Sequence, residues 1–365
     1  MKVLLLADIN SIHSQKWATA LHIRGVDMAI FSLTRLSEPN PELEGILVFH
    51  PDHFNRNLSS SGLIEKTRYF TTLPYLKKCI RNFAPDIVHA HYASSYGALG
   101  ALCGFHPFIL SVWGSDVYDF AKRSPFTGLM MRFNLGKADR ILSTSNAMAE
   151  EIWKYTRRQI AITPFGIDPD IFKPYIVQGL FSRDEIVIGT TKSLEPVYGN
   201  DVLIRVFGQL QMQHPELPLR LLITGGGSME NALKELVYKL GLGKQVVFTG
   251  KVTHKAIPDY LNMLDIFAAL SFSESFGVSV IEASACGLPV VTTNVGGLKE
   301  VVEDRITGLL VPPNNIGKCV ESFERLIFDK ELRVNMGKNG RERVKKMYNW
   351  NDNVAEMIKI YQGVL

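Results

Sequence analysis

The sequence predicts an α/β fold made of two doubly wound, Rossmann-like domains facing a central cleft. Three observations lead there. Strand-like and helix-like segments alternate from end to end, which is the pattern of parallel sheets covered by helices. A chain of 365 residues with 46% hydrophobic content is too long for one ordinary core. Prolines and a glycine punctuate the pattern midway, from Pro164-Phe165-Gly166-Ile167-Asp168 to Lys173-Pro174, as a linker does. The expected division is a first domain over 1–165, a second over 166–345, and a C-terminal helix within 346–365 that packs back on the first.

The strands are read from short apolar runs closed by turn residues. The first half predicts strands over 3–6, 29–31, 87–89, 108–112 and 140–143. The second half predicts them over 186–190, 220–224, 246–249, 266–270 and 290–293. Residues 1–7 have the apolar look of a secretory leader, but Asp8 interrupts them too soon, and a first buried strand fits better. Residues 15–24 read as a helix stopped by Gly25. Thr224-Gly225-Gly226-Gly227 joins a buried strand to a helix from Met229. Two readings stand for it: a tight turn, or a loop whose backbone a nucleotide approaches.

Composition narrows the function. No apolar run nears the roughly 18 residues that cross a membrane. Cys79, Cys103, Cys286 and Cys319 lie among apolar neighbours without paired metal spacing, so buried, reduced thiols in a cytoplasmic protein are expected. The histidines show no zinc spacing, and neither a metal nor another cofactor is expected. Net charge is +4; residues 1–165 carry 18 Lys+Arg against 13 Asp+Glu, a balance of +5, and the remainder carries −1. That is too little for nucleic acid, which is not an expected partner, but suits an anionic membrane surface or a phosphorylated acceptor.

The stretch richest in chemistry is Ser273-Glu274-Ser275-Phe276-Gly277-Val278-Ser279-Val280-Ile281-Glu282. An apolar strand-like run leads in, and an apolar helix-like run leads out to Gly287-Leu288-Pro289. Glu274 is therefore placed at a strand end, with Glu282 about two turns along the next helix on the same side. Ser275 to Val278 is expected to open that helix, where free N–H groups attract anions. N–H groups for phosphate and carboxylates for hydroxyls suit a phosphorylated, hydroxyl-rich ligand.

These residues resemble the donor-binding signature of family-4 retaining glycosyltransferases of the GT-B fold. The resemblance runs through Glu274-Ser275-Phe276-Gly277, Glu282-Ala283, Gly287-Leu288-Pro289-Val290, Gly296-Gly297, Glu300 and Thr307-Gly308-Leu309-Leu310-Val311. Weaker likenesses extend it over nearly the whole chain: Asp8, His13 and Trp17; Pro85-Asp86-Ile87-Val88-His89-Ala90-His91; Ser111-Val112-Trp113-Gly114-Ser115-Asp116; and Ala138-Asp139 with Ser145.

The resemblance implies roles. Glu282 binds the ribose hydroxyls of a nucleotide-sugar donor, as a carboxylate does well. Glu274 touches the donor hexose, and the backbone of Ser275, Phe276, Gly277 and Val278 meets the sugar or diphosphate. Main-chain atoms near Lys251 and Val252 read the base, UDP being the first choice and GDP the second. The glycine loop of Gly225 and Gly226 and the small Ser11 give the donor backbone approach.

The family's arginine and lysine for the leaving diphosphate fall at Ser193 and Tyr198 here, a departure that bears directly on phosphate stabilisation. Lys192 is the candidate replacement, set against a solvated surface lysine. His13 contacts acceptor or phosphate, or is an ordinary loop histidine. On the acceptor side stand His91, Trp113 (sugar stacking or core) and Asp116 (acceptor hydroxyl or helix cap).

Two basic, apolar stretches, 66–81 and 122–140, read either as helices on an anionic leaflet or as helices packed on their own domain. The implied activity is retaining, metal-independent transfer of a hexose to a hydroxyl of a glycan or lipid-linked acceptor, in the cytoplasm or at the inner face of the membrane. A GT-B epimerase and a silent nucleotide-sugar binder are the rivals. Replacing Glu274 by alanine is expected to destroy turnover and spare the fold.

Overall fold

Leu4, Leu5 and Leu6 are each at most 1% exposed, so the first strand is covered on both faces, as an all-parallel sheet requires. The computed structural model describes residues 1–52 and 67–365. They form two units: Met1–Pro164 with Asp352–Leu365, and Phe165–Asn351.

Unit 1 is built on β1 (Lys2–Leu6), β2 (Asp27–Phe31), β3 (Leu47–Phe49), β4 (Ile87–His91), β5 (Phe108–Val112), β6 (Arg140–Ser143) and β7 (Ile160–Ile162). Their order is β3-β2-β1-β4-β5-β6-β7, all parallel. Leu4 pairs with Ala29 on one side and Val88 on the other. Unit 2 holds β8 (Ile186–Thr190), β9 (Leu219–Thr224), β10 (Val246–Gly250), β11 (Ile266–Ala269), β12 (Val290–Thr293) and β13 (Gly308–Val311). These also pair in parallel, in the order β10-β9-β8-β11-β12-β13.

The differences from the sequence reading have local causes. The first helix is Ile12–Ile23, starting three residues before the predicted 15, because Ser11 caps it by accepting the Ser14 N–H. Past its end, the Gly25 N–H donates to the His22 carbonyl at 2.9 Å. The three strands absent from the sequence reading, β3, β7 and β13, are all sheet edges of three or four residues. An edge strand buries less; Leu47 and Val48 are 55% and 44% exposed. β13 opens on a glycine, which weakens its strand pattern. All four cysteines are free and buried.

The two basic stretches separate. Lys66 lies outside the described residues. The helix Leu73–Phe83 buries Leu76, Cys79 and Phe83 in its own core and leaves Lys77, Lys78 and Arg81 outside. The leaflet reading therefore does not hold for it. The helix Pro125–Lys137 differs: Phe126, Leu129 and Phe133 are 63%, 65% and 43% exposed.

In unit 1, β4 carries two buried histidines. His89 lies between Tyr361, whose hydroxyl is 2.7 Å from Nδ1, and Ser111, whose Oγ is 2.8 Å from Nε2. The helix Trp350–Gln362 supplies that tyrosine. Burial lowers the His89 pKa to about 3, and burial with the nearby His89 and His13 holds His91 well below the ordinary histidine range. Both are neutral when folded, while the unfolded chain takes up protons near pH 6.5. Stability is thus full above about pH 6.5 and is lost as pH falls towards 3. The unfolding free energy from urea titration is expected to drop by about 2 kcal/mol on account of His89 between pH 7 and 5. His89→Gln should flatten that dependence, and an unchanged slope would refute the assignment.

Candidate active site

Five loops of unit 2 leave the carboxyl ends of adjacent parallel strands, where such sheets gather ligands. Lys192 follows β8, Gly225 follows β9, Lys251 follows β10, Glu274 follows β11 and Gly296 follows β12. Every candidate donor residue except Ser11 lies on these loops or on the helix after β11.

Lys192 is no solvated surface residue. It is 7% exposed, and its ammonium pairs with the Glu274 carboxylate. The Tyr198 ring covers the ammonium, its centroid 4.6 Å from Nζ, a cation–π contact that holds a partly desolvated cation. Burial raises the Tyr198 hydroxyl pKa, against the opposing pull of Lys192. The residue standing at the family's lysine position is thus a wall of the lysine's own pocket. Ser193, at the arginine position, is exposed, and its carbonyl accepts from the Asn200 side chain at 3.0 Å.

The helix after β11 is Val278–Ala285, capped by Gly277 at φ +111°. Ser275 and Phe276 therefore precede it, and Glu282 lies just past its first turn; both points correct the sequence reading, which began the helix too early. Glu282 is 5% exposed, and its Oε1 is 2.8 Å from His254 Nε2. His254 in turn packs on Phe172, ring centroids 5.6 Å apart. One carboxylate oxygen is thereby fixed, orienting the other. The Phe276 side chain is buried between Phe165 and Tyr348, at 5.9 and 5.5 Å, which leaves only its backbone to meet a ligand.

Close backbone approach explains two glycine runs. Gly296 has φ +46°, and a Cβ there would lie 1.9 Å from the Glu274 carbonyl oxygen. The adjacent Gly297 N–H donates to that same carbonyl at 3.0 Å. Gly296 and Gly297 thus brace the loop bearing Glu274. Likewise, a Cβ on Gly225 would meet the Lys192 carbonyl oxygen at 2.4 Å, and one on Gly227 the Leu194 carbonyl oxygen at 2.5 Å. The tight-turn reading accounts for those two glycines, and Gly226 faces Lys251. Lys251 is exposed and Val252 partly buried.

In unit 1, His13, His91 and Trp113 share one aromatic cluster. The Trp113 ring is 4.1 Å from that of His91 and 6.0 Å from that of His13. Trp113 is 8% exposed, which favours packing over sugar stacking. Ser11 caps a helix. Asp116 is 1% exposed and accepts from the N–H groups of Ala93, Gly114 and Val117, so its lone pairs go to the turn and not to an acceptor hydroxyl.

Sequence reasoning missed His254, the Tyr198 wall and the brace at Gly296. Only the glycine pair left a trace, as part of the signature. Among the described residues no group of three His, Cys, Asp or Glu side chains comes together as a metal site.

Both parts of the chain match known protein families. Residues 173–343 match the family "Glycosyl transferases group 1", and residues 2–145 match "Glycosyl transferase 4-like". A D-inositol 3-phosphate glycosyltransferase of Corynebacterium jeikeium is 30% identical over 303 residues, 76% of this chain and 72% of the relative. The chain belongs to the group 1 glycosyltransferases.

This group 1 glycosyltransferase is also 26% identical, over 81% of its length and 67% of the relative's, to the GPI3 subunit of phosphatidylinositol N-acetylglucosaminyltransferase from Saccharomyces cerevisiae. Its fold is that of GT-B enzymes. Sucrose-phosphate synthase of Thermosynechococcus elongatus superposes with TM-score 0.87 at 21% identity, over 100% of this chain and 98% of the other. Anabaena HepE in complex with UDP gives 0.79 at 17% identity over 100% of both.

Proposed function

We propose that this glycosyltransferase is a retaining hexosyltransferase. It moves a sugar from a nucleotide diphosphate, UDP before GDP, to a hydroxyl of a glycan or lipid-linked acceptor in cell-surface polysaccharide synthesis. The observation that carries this reading is the buried pair of Lys192 and Glu274 at the strand ends, on a loop braced by Gly296. In this reading the donor diphosphate takes the Lys192 ammonium, and hexose hydroxyls take the freed Glu274 carboxylate. Lys192 then stabilises the charge that develops on the leaving diphosphate, while Glu282, oriented by His254, accepts from the ribose hydroxyls. The reaction is proposed to run without a metal, with Lys192 and backbone N–H groups carrying the diphosphate. The UDP complex of HepE supports the choice of base.

The exposed face of the helix Pro125–Lys137 supports contact with an anionic membrane, since Arg132 and Lys137 border Phe126, Leu129 and Phe133. No described helix is long and apolar enough to cross a membrane. A silent nucleotide-sugar binder is the second reading, favoured by the tie that Glu274 places on Lys192.

Calorimetry and thermal shift against UDP, GDP, ADP and CMP test the reading. One nucleotide is expected to bind, and Glu282→Ala should weaken it about 100-fold, some 2.7 kcal/mol. Binding that ignores Glu282→Ala, or no binding at millimolar nucleotide, would overturn it. Nucleotide binding without sugar transfer would move the protein to the second reading.

A further inference from the structure

Unit 1 holds a cavity of about 240 Å³ that the donor reading leaves unused. Its lining brings together Arg123 and three serines, Ser94, Ser95 and Ser115. The serines come from two separate elements: Ser94 and Ser95 open the helix Ser95–Cys103 after β4, and Ser115 begins the short helix after β5. Tyr69 and Phe120 form apolar sides.

The charges favour an anion. Arg123 is exposed, and among the described residues its guanidinium has no acidic partner. The adjacent Lys122 is already engaged, 3.2 Å from Glu151. The cavity's one carboxylate, Asp116, does not cancel Arg123's role, because three backbone N–H groups hold it at 2.7, 2.8 and 3.2 Å. The first turn of the nine-residue helix Ser95–Cys103 adds a positive dipole end. A guanidinium plus several hydroxyl donors on different elements suits a tetrahedral, many-oxygen anion better than a planar carboxylate.

We propose that this cavity binds a phosphoryl group, and that the group belongs to the acceptor. Only the second clause rests on the transferase reading. The phosphoryl group has two sources, a soluble sugar phosphate or the headgroup of a lipid-linked acceptor. The exposed apolar face that starts at Phe126, three residues past Arg123, adjoins the cavity in sequence.

The test titrates the full chain with inorganic phosphate and with glycerol phosphate by calorimetry. Arg123→Gln is compared with Lys137→Gln, which removes the same charge from an exposed site outside the cavity. Arg123→Gln should weaken phosphate at least ten-fold, Lys137→Gln should not, and Arg123→Lys should recover part of the loss. Phosphate binding that is absent in the wild type, or equal in wild type and Arg123→Gln, overturns the proposal. Sedimentation with phosphatidylcholine vesicles containing phosphatidic acid separates the sources. Arg123-dependent binding that glycerol phosphate displaces supports the lipid headgroup, and Arg123-dependent binding of soluble phosphate alone supports the sugar phosphate. UDP is titrated in parallel. UDP binding retained while Arg123-dependent phosphate binding is missing removes this site and leaves the transferase reading standing. The converse result supports the site and removes that reading.

Discussion

Glu274→Ala is expected to lose at least ~1,000-fold in kcat/KM. The structure adds a second effect that the sequence did not foretell. Glu274 neutralises a lysine that is only 7% exposed. Removing one partner of a buried pair leaves a charge without compensation, at about 3–5 kcal/mol. At 2–4 °C per kcal/mol for a unit of this size, the melting temperature should fall by about 10 °C. The expectation that the fold would be spared is therefore revised. The double variant Lys192→Met/Glu274→Ala separates the effects: the melting temperature should return, and turnover should not. Turnover near the wild-type level in Glu274→Ala would remove the core of the site.

Gly296→Ala should be nearly as severe although it alters no reactive group. A Cβ there would sit 1.9 Å from the Glu274 carbonyl oxygen, and the residue has φ +46°. The left-handed conformation alone costs roughly 1–2 kcal/mol with a side chain, and the clash forces the Glu274 loop to move. Both nucleotide affinity and turnover are expected to fall together, turnover by more than ~100-fold, since an ångström of misplacement costs about that much. Gly243→Ala is the control, because nothing lies within 4 Å of its Cβ position. Urea denaturation and UDP titration of the two variants decide the matter; equal behaviour would mean that the brace does not position the site.

The fold was legible where burial on both faces writes apolar runs into the sequence. Ten of the strands announced themselves in this way, and the three that did not are edges. The site was legible where a side chain carries the chemistry, as with Glu274, Glu282 and Lys192. It was illegible where neighbours far along the chain decide the outcome. His254 meets Glu282 across 28 positions, and Lys192 meets Glu274 across 82. No local pattern encodes such pairings. Asp116 shows the converse: its acidity suggested a ligand contact, yet burial and three amides give it to the turn. The two cationic stretches look alike as sequences, and only packing distinguishes the helix that hides its apolar face from the one that shows it.

The contact between His89 and Tyr361, 272 positions apart, bears on the order in which the protein is made. Unit 2 is continuous in the chain, whereas unit 1 takes its last fourteen residues from the far end, Asp352–Leu365. Domains generally fold as they leave the ribosome, the earliest first. Here the earliest segment waits longest: unit 2 can complete itself while His89 still lacks its phenol. A chain cut between residues 351 and 361 therefore retains the whole of the second unit, while His89 in the first lacks its phenol.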